Sequence, residues 1–226
     1  MKKMTIAGLE VLVKEGAAGG PVIVLLHGYG ADNADLASLA DLLPVPAGTT
    51  WVFPNAPLTV PLGPHAQGRA WFPLDVAALE EAMQHGTHRS YAAGMPEGMA
   101  AAAAQVSRLV EGLGRDPSET ILGGFSQGAM IACEVALTQA AAPHGLLLLS
   151  SALVAQARWS EAMARYAGLR VFLSHGRVDP LLSYADAETL RDLFVQSGAT
   201  VDFVPFAGGH EIPPVVMQGL ARFLAG

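Results

Sequence analysis

One serine lies in a sequence pattern that can make it a nucleophile. Gly124-Phe125-Ser126-Gln127-Gly128 matches G-x-S-x-G, follows the apolar run Thr120-Ile121-Leu122 and precedes an apolar helical pattern. Such a serine occupies a tight turn between a strand and a helix, where its hydroxyl projects above the sheet and the glycines allow close packing. The helix N-terminus also stabilises negative charge that develops nearby. The pattern predicts Ser126 as a nucleophile, and the alternative is a glycine-rich turn with a capping serine.

A serine hydroxyl needs a base to accept its proton, and the base needs a carboxylate to orient it. Enzymes with this turn carry the three groups in the order serine, acid, histidine. Asp179 follows the predicted strand Val171–His175, and His210 follows the predicted strand Val201–Phe206. Because the carboxyl ends of parallel strands share one edge of a sheet, we expect both side chains to lie near Ser126. The sequence thus predicts acyl transfer by Ser126, Asp179 and His210.

Other titratable residues fit these roles less well. His175 lies at the correct end of a strand but precedes the acid, so we expect it to be structural. Asp202 lies inside a predicted strand, and His144 precedes one, at the opposite edge of the sheet. Asp186 and Asp192 lie on a predicted helix, where a solvated face explains them. None of the five combines the required chain order with a position after a strand.

Acyl transfer also needs hydrogen-bond donors for the oxyanion of the tetrahedral intermediate. One donor is usually the backbone N–H of the residue after the serine, and the second comes from a loop after an early strand. These rules predict the backbone N–H groups of Gln127 and Tyr29, since His27-Gly28-Tyr29-Gly30 follows the apolar run Val22–Leu26. We expect His27 itself to form a hydrogen bond within this turn rather than to react.

Strands and helices alternate along the chain. Strands are predicted at Leu9–Val13, Val22–His27, Thr50–Phe53, Thr120–Phe125, Leu146–Ser150, Val171–His175 and Val201–Phe206. Helices are predicted at Asp35–Leu43, Pro96–Leu113, Gln127–Ala140, Ser160–Tyr166, Ser183–Ser197 and Pro214–Leu224. Several strands are apolar on both faces, which indicates a parallel sheet between two helix layers. The predicted fold is a mostly parallel, doubly wound α/β sheet in a single domain spanning residues 1–226.

The segment from 54 to 95 breaks this alternation. It carries prolines at 54, 57, 61, 64 and 73 and is too long for a plain connection. Long loops in compact domains usually form lids or binding loops, so this segment is predicted to be a partial lid. The apolar residues predicted to line an acyl groove are Trp71, Phe72, Leu153, Leu181 and Ile212. Ordinary core packing is the alternative, and it is individually favoured for Leu153 and Ile212.

Composition limits the possible classes of function. Of the 226 residues, 51% are hydrophobic and 15% are charged, which excludes an intrinsically disordered chain and a coiled coil. The formal net charge of −7 argues against binding to nucleic acid or to an anionic membrane surface. Apolar stretches are far shorter than the ~18 residues of a membrane-spanning helix, and no signal-peptide pattern is found. We therefore expect a cytoplasmic protein without stable membrane insertion.

No metal or redox site is predicted. Cys133 is the only cysteine, so an intrachain disulfide and a cysteine-rich zinc site are excluded, and a buried apolar role is expected for it. His85 and His88 have helical spacing for a metal pair, but without a third ligand a solvated loop is the simpler interpretation. Arg69 could bind an acidic head group or form a surface ion pair, and both interpretations remain open.

Six collinear segments resemble the phospholipase/carboxylesterase family of α/β-hydrolases, which contains bacterial carboxylesterases, lysophospholipases and acyl-protein thioesterases. They are Leu26–Asp32, Pro54–Pro57, Arg69–Phe72, Gly124–Gly128, His175–Asp179 and Gly209–Ile212. The resemblance implies an α/β-hydrolase fold with the triad and oxyanion hole named above, and no cofactor. Three departures concern the substrate rather than the chemistry: Tyr29 replaces a common Leu, Ala129 replaces a Gly, and Pro180-Leu181-Leu182 replaces a frequent Val-Pro pair.

Three hypotheses for the function follow. The leading one is hydrolysis of carboxylic esters or thioesters through an acyl-enzyme on Ser126. The second is a lysophospholipase or acyl-protein thioesterase that acts on long acyl chains. The third is a non-catalytic binding protein that keeps the hydrolase fold, since fold does not imply function. The sequence leaves open the acyl length, the leaving group and whether the protein forms a homodimer.

Overall fold

The strands and helices alternate along the chain in the structure, which is a computed structural model and describes residues 1–225. The strands are β1 (Lys2–Ile6), β2 (Leu9–Lys14), β3 (Val22–Leu26), β4 (Thr50–Pro54), β5 (Leu58–Pro61), β6 (Gln67–Ala70), β7 (Thr120–Phe125), β8 (Gly145–Leu149), β9 (Arg170–Gly176) and β10 (Thr200–Phe206). The α-helices are α1 (Leu39–Leu42), α2 (Val76–Gln84), α3 (Met99–Gly112), α4 (Gln127–Thr138), α5 (Gln156–Met163), α6 (Tyr184–Gln196) and α7 (Pro214–Ala225).

Eight of the strands form the central sheet, in the order β1-β2-β4-β3-β7-β8-β9-β10. Neighbours from β4 to β10 are parallel, whereas β2 pairs antiparallel with both β1 and β4. The register places Leu26 beside Gly124 and Phe125 beside Leu149. The carboxyl ends of β3, β7, β9 and β10 therefore share one edge, and the prediction of a mostly parallel sheet is confirmed.

Helices cover both faces of this sheet. On one face α3, α4, α5 and α6 bury a core that includes Leu148 and Trp159. On the other face α1 and α7 bury a second core, in which Phe172 and Phe223 pack edge to face. Helix α4 is buried from Gln127 to Leu137, because it lies between the sheet and its neighbouring helices. Within residues 1–225, no helix has both the length and the apolar character needed to cross a bilayer.

The differences from the predicted elements are local. Strand β1 was not predicted, because most of its side chains are exposed and it pairs only with β2 at the edge of the sheet. The predicted helix Asp35–Leu43 is α-helical only over its second half, α1, and turns precede it. The predicted helix Ser160–Tyr166 begins earlier, at Gln156, after Ala155 reverses the chain in the left-handed conformation.

The predicted lid segment, 54–95, has secondary structure of its own. Strands β5 and β6 form an antiparallel hairpin. Helix α2 begins after Asp75, whose side chain accepts the backbone N–H of Ala78 at 3.1 Å. None of the residues of α2 is buried, whereas Trp71 and Phe72 anchor the segment in the core. Closure of this segment over a substrate stays a prediction.

Candidate active site

Ser126 lies between the end of β7 and the start of α4. Its backbone has φ 55° and ψ −120°, a strained conformation that residues other than glycine rarely adopt. Its backbone N–H donates to the carbonyl of Leu149 on β8 at 2.9 Å, which holds the turn against the sheet. Among residues 1–225 the hydroxyl finds no capping partner in the helix. The capping alternative is therefore wrong, and the turn has the geometry expected of a nucleophile elbow.

The two glycines of this elbow allow unusually close contact between strand and helix. A Cβ atom at Gly128 would overlap the carbonyl oxygen of Leu26 on β3, and one at Gly124 would lie 2.6 Å from the same oxygen. Even alanine at either position would push the start of α4 away from the sheet, which is a destabilising kind of overpacking. The prediction that these glycines allow close packing of strand and helix is confirmed.

Asp179 and His210 meet at the carboxyl edge of the sheet. They follow β9 and β10, which pair in parallel. His210 Nδ1 donates a hydrogen bond to Asp179 Oδ2 at 2.7 Å. The imidazole also packs against Phe125, with the two ring centroids 4.7 Å apart. Because Phe125 directly precedes Ser126, this contact brings the imidazole to the elbow.

The carboxylate of Asp179 is buried and hydrogen-bonded through both oxygens. Oδ1 accepts the backbone N–H groups of Leu181 at 2.8 Å and of Leu182 at 3.0 Å, and Oδ2 accepts from His210. Burial alone would raise the pKa of Asp179. The hydrogen bond and charge of His210, together with the two amides, outweigh this effect and hold the pKa below its usual value. Asp179 is therefore an anion at neutral pH.

A second imidazole, His175, lies beside the same carboxylate. Its Nε2 is 3.5 Å from Asp179 Oδ2 and donates to the carbonyl of Leu182 at 3.1 Å. The side chain is fully buried, and burial lowers its pKa, so the ring is neutral. Within residues 1–225 its Nδ1 has no hydrogen-bond partner. A neutral imidazole that holds the loop 179–182 agrees with the predicted structural role.

The backbone N–H groups of Tyr29 and Gln127 are available for hydrogen bonding. The turn that contains Tyr29 lies against the elbow, since a Cβ atom at Gly28 would be 3.4 Å from the Cβ of Ser126. Gln127 is the first residue of α4, where an N–H group has no acceptor within the helix. In the part of the chain that the structure describes, neither of these two N–H groups donates a hydrogen bond. Both can therefore serve an oxygen beside Ser126.

His27 fixes the start of this turn. Its Nδ1 donates to the carbonyl of Gly28 at 2.7 Å, and its Nε2 accepts the backbone N–H of Ala56 at 3.1 Å. These two bonds define one neutral tautomer, and burial lowers the pKa of the ring accordingly. The expectation of a hydrogen bond within the turn is confirmed.

The other end of the turn is held by the β5–β6 hairpin. The N–H of Gly30 donates to the carbonyl of Arg69 at 2.8 Å, and the N–H of Arg69 donates to the carbonyl of Ala31 at 2.9 Å. Gly68 lies so close that a Cβ atom there would overlap the carbonyl oxygen of Gly30. The turn is thus fixed on both sides of Tyr29.

The predicted groove residues divide into two groups. Trp71, Phe72 and Leu153 are 1%, 0% and 1% exposed and belong to the core, which corrects the groove prediction for Trp71 and Phe72 and agrees with the core packing favoured for Leu153. An acyl chain cannot reach side chains that are packed in the core. Leu181 and Ile212 are half-buried. They follow the Asp179 and His210 positions by two residues and stay candidates for the acyl-contacting surface.

Three hydrogen bonds at the site were not predicted. The side chain of Gln127 bonds the backbone of Trp71 and Phe72, each at 2.8 Å, and His88 Nε2 donates to the carbonyl of Asp179 at 2.8 Å. The partners are 55 to 91 residues apart, so no local pattern connects them. The one available signal was a polar Gln127 at a position where the helix pattern requires burial.

Arg69 and His85 form side-chain contacts outside the site. Arg69 forms an exposed ion pair with Glu10 at 3.0 Å, which favours the surface interpretation and contributes at most ~1 kcal/mol. His85 Nδ1 donates to the carbonyl of Glu81 at 2.8 Å, whereas His88 contacts the loop of Asp179. Across residues 1–225, no three side chains of the metal-binding types cluster as ligands.

A cavity of about 760 Å³ lies elsewhere, in the groove between α3 and α4. Its lining includes Arg108, Glu134 and Arg158. Glu134 follows the first residue of α4, Gln127, by seven positions, which is about 10 Å along a helix axis. This cavity is therefore separate from the elbow.

We expect the free energy of unfolding to fall as the pH decreases below about 6.5. Burial lowers the pKa values of His27 and His175, so the unfolded chain then binds protons that the native chain does not. A second loss begins below about pH 4, because the lowered pKa of Asp179 keeps the native carboxylate ionised while the unfolded one is protonated. Urea unfolding at intervals of pH measures both stages.

The substitution His175→Gln measures how much of the stability lost below about pH 6.5 comes from His175. The amide can still donate to the carbonyl of Leu182 but does not titrate. Below about pH 6.5 the variant should lose stability less steeply than the wild type, by up to ~1.4 kcal/mol per pH unit, with His27 supplying the remaining slope. A slope equal to that of the wild type would contradict a neutral His175 in the native state.

A strained serine at a strand–helix turn, with an aspartate–histidine pair at the same edge of a mostly parallel sheet, is the arrangement of the α/β-hydrolases. A sequence model of the phospholipase/carboxylesterase family matches residues 8–226 of the chain. The chain therefore belongs to the phospholipase/carboxylesterase family.

Individual relatives agree with this membership. The chain is 26% identical over 244 residues to acyl-protein thioesterase 1 of Mycosarcoma maydis, an alignment that covers 96% of this chain and 95% of that protein. The crystal structure of the esterase PE8 has a TM-score of 0.78 at 26% identity and covers 96% and 98% of the two chains. The Bacillus cereus carboxylesterase, at 20% identity and a TM-score of 0.68 over 95% and 93%, shares the fold. The protein is therefore a hydrolase of the esterase and thioesterase family type.

Proposed function

We propose that this protein hydrolyses carboxylic esters through an acyl-enzyme on Ser126, with His210 as the base and Asp179 as its orienting acid. The observation that carries the proposal is the hydrogen bond of 2.7 Å between His210 and Asp179, beside a serine with φ 55°. The packing of His210 on Phe125 supports the same assignment, because it brings base and nucleophile to one edge.

In the acylation step, the Ser126 hydroxyl attacks the ester carbonyl while His210 Nε2 accepts its proton. Since His210 Nδ1 donates to Asp179, Nε2 is the ring nitrogen with a free lone pair. The imidazolium that forms is stabilised by the ionised carboxylate. The amides of Tyr29 and Gln127 donate to the tetrahedral oxyanion. Collapse of the intermediate breaks the bond to the leaving alcohol, which takes the proton from His210.

Deacylation repeats these steps with water. His210 removes a proton from a water molecule as its oxygen adds to the acyl carbonyl, and the same two amides stabilise the second oxyanion. Collapse breaks the bond between the carbonyl carbon and Ser126 Oγ, and the proton on His210 returns to that oxygen. The products are the free carboxylic acid and the regenerated hydroxyl.

A fluorophosphonate probe should label the native protein at one serine. Attack by the Ser126 oxygen on phosphorus displaces fluoride, so peptide mapping should locate the adduct at Ser126. Labelling should disappear after heat denaturation, because reactivity depends on the folded site, and should slow in the presence of p-nitrophenyl butyrate. A native protein that hydrolyses no ester and labels at no serine would support the non-catalytic binding hypothesis instead.

Long-chain substrates are a second candidate, favoured by the relatives named acyl-protein thioesterase 1. A series of matched oxygen esters and thioesters from acetyl to palmitoyl distinguishes the two. A kcat/KM that decreases with acyl length supports a short-chain carboxylesterase, whereas a sharp optimum at long chains supports the second candidate. Leu181 and Ile212 are the half-buried apolar side chains whose enlargement to Phe should shift that optimum.

A further inference from the structure

A chain of buried hydrogen bonds connects the two amides assigned to the oxyanion hole. It begins at the side chain of Gln127, which is 1% exposed. Its Oε1 accepts the backbone N–H of Trp71 at 2.8 Å, and its Nε2 donates to the carbonyl of Phe72 at 2.8 Å. The side chain of the first residue of α4 thus holds the backbone of two consecutive residues, Trp71 and Phe72, which follow β6.

The series of buried hydrogen bonds continues through the indole of Trp71. Its Nε1–H donates to the carbonyl of His27 at 2.9 Å, and the two rings lie with their centroids 5.5 Å apart. The imidazole of His27 is in turn locked to Gly28 and Ala56. A buried carbonyl that loses its donor costs more than the bond is worth when made, so this geometry is strongly determined.

We propose that the side chains of Gln127 and Trp71 are positioning residues for the oxyanion hole. Gln127 supplies one donor from its backbone, and its side chain holds the backbone of Trp71, whose indole bonds the carbonyl of His27. That carbonyl lies two residues before Tyr29, whose backbone supplies the second donor. The connection therefore sets the separation of the two donors. The inference rests on the proposed function, since it concerns the oxyanion of that reaction.

The separation of these donors matters because the oxyanion exists only in the intermediate and its flanking transition states. A donor stabilises it at about 2.7–3.1 Å from the oxygen, and complete loss of one donor costs roughly 10²–10³ in kcat. Displacement of Tyr29 by a fraction of an ångström is a partial loss. It should lower kcat and leave KM nearly unchanged, because the ground-state carbonyl depends less on these donors.

Trp71→Phe tests the inference with the smallest change. It removes the N–H that bonds the carbonyl of His27 and keeps an aromatic ring in the core. We expect kcat for p-nitrophenyl butyrate to fall about 10-fold with KM within about twofold of the wild type. Phenylboronic acid, which forms a tetrahedral adduct with a nucleophilic serine, should bind more weakly by a similar factor.

Trp159→Phe is the matched control. Its indole N–H is equally buried and donates to Glu134 Oε2 at 2.8 Å, about 10 Å along α4 from the elbow. Trp159→Phe should lower the free energy of unfolding about as much as Trp71→Phe does, but it should leave kcat and the affinity for phenylboronic acid unchanged. Equal losses of stability with an unchanged kcat in Trp71→Phe would show a purely structural role and overturn the inference.

Gln127→Glu is a second variant should Trp71→Phe not fold. It keeps an acceptor for the N–H of Trp71 and the backbone donor, but replaces the donor to the carbonyl of Phe72 with an oxygen. We expect at least the same fall in kcat, and a kcat within twofold of the wild type overturns the inference. Failure of the proposed function is distinguishable, because the wild type would then bind no boronic acid and label at no serine.

Discussion

Ser126→Ala should abolish ester hydrolysis while leaving the fold intact. Removal of the nucleophile of a serine triad lowers kcat by about 10⁶-fold, and the activity that remains comes from substrate binding and the oxyanion hole. Alanine keeps the backbone strain at φ 55° and loses no hydrogen bond to the helix end within residues 1–225. The free energy of unfolding should therefore change by no more than about 0.5 kcal/mol. Hydrolysis of p-nitrophenyl acetate and urea unfolding measure the two quantities.

The same two measurements on a His210→Ala variant and on the double variant test whether Ser126 and His210 act together. His210→Ala should cost about as much as Ser126→Ala, and the double variant should be no worse than either single variant, because groups that act as one unit are not additive. Equal rates for the wild type and Ser126→Ala would reject the nucleophile. Additive losses in the double variant would contradict proton transfer between the two side chains.

Asp179→Asn should lower kcat by about 10⁴-fold. The amide oxygen can keep the bonds from the backbone N–H groups of Leu181 and Leu182, which then turns the NH₂ group toward His210. His210 Nδ1 must then accept a hydrogen bond instead of donating one. Its Nε2 carries the proton in that tautomer and cannot take the proton of Ser126. The loss should appear in kcat, with a fold that is preserved by the retained loop contacts.

Asp202→Asn is the matched control for this change. Asp202 is an exposed carboxylate on β10, the edge strand that leads to His210. Its replacement removes the same charge and should leave kcat within about twofold of the wild type, because exposed charges are strongly screened. A loss of less than 10-fold in Asp179→Asn would contradict its orienting role. The rate of fluorophosphonate labelling gives an independent measure for both variants.

The candidate catalytic residues could be predicted because each depends on a local rule. Ser126 lies in a glycine-flanked strand–helix turn, and Asp179 and His210 lie in the turns after β9 and β10. Parallel pairing of β9 and β10 then brings the last two together without any further information. The positions of these residues after their strands were therefore sufficient to predict that they lie at the same edge of the sheet.

The groove and the first strand could not be predicted in this way. Trp71 and Phe72 lie in a proline-rich segment that resembles a binding loop, but bonds from Gln127 draw them into the core. Strand β1 has no alternation of buried and exposed side chains, and only its backbone pairing with β2 defines it. In both cases tertiary contacts determine the structure, and the periodicity of apolar residues in the sequence does not predict such contacts.

The contact of the β5–β6 hairpin with the turn of Tyr29 determines which parts of the hairpin tolerate substitutions and insertions. The stem residues Gly68 and Arg69 interlock with Gly30, so a substitution there disturbs the reaction centre itself. The hairpin tip, residues 63–65, is exposed and is enclosed by a hydrogen bond from Leu62 to Ala66, whereas the side chain of Leu62 lies beside Gly30. Insertions at the tip should therefore be tolerated with little loss of stability, whereas substitution of Gly68 in the stem should displace the turn that carries the Tyr29 amide.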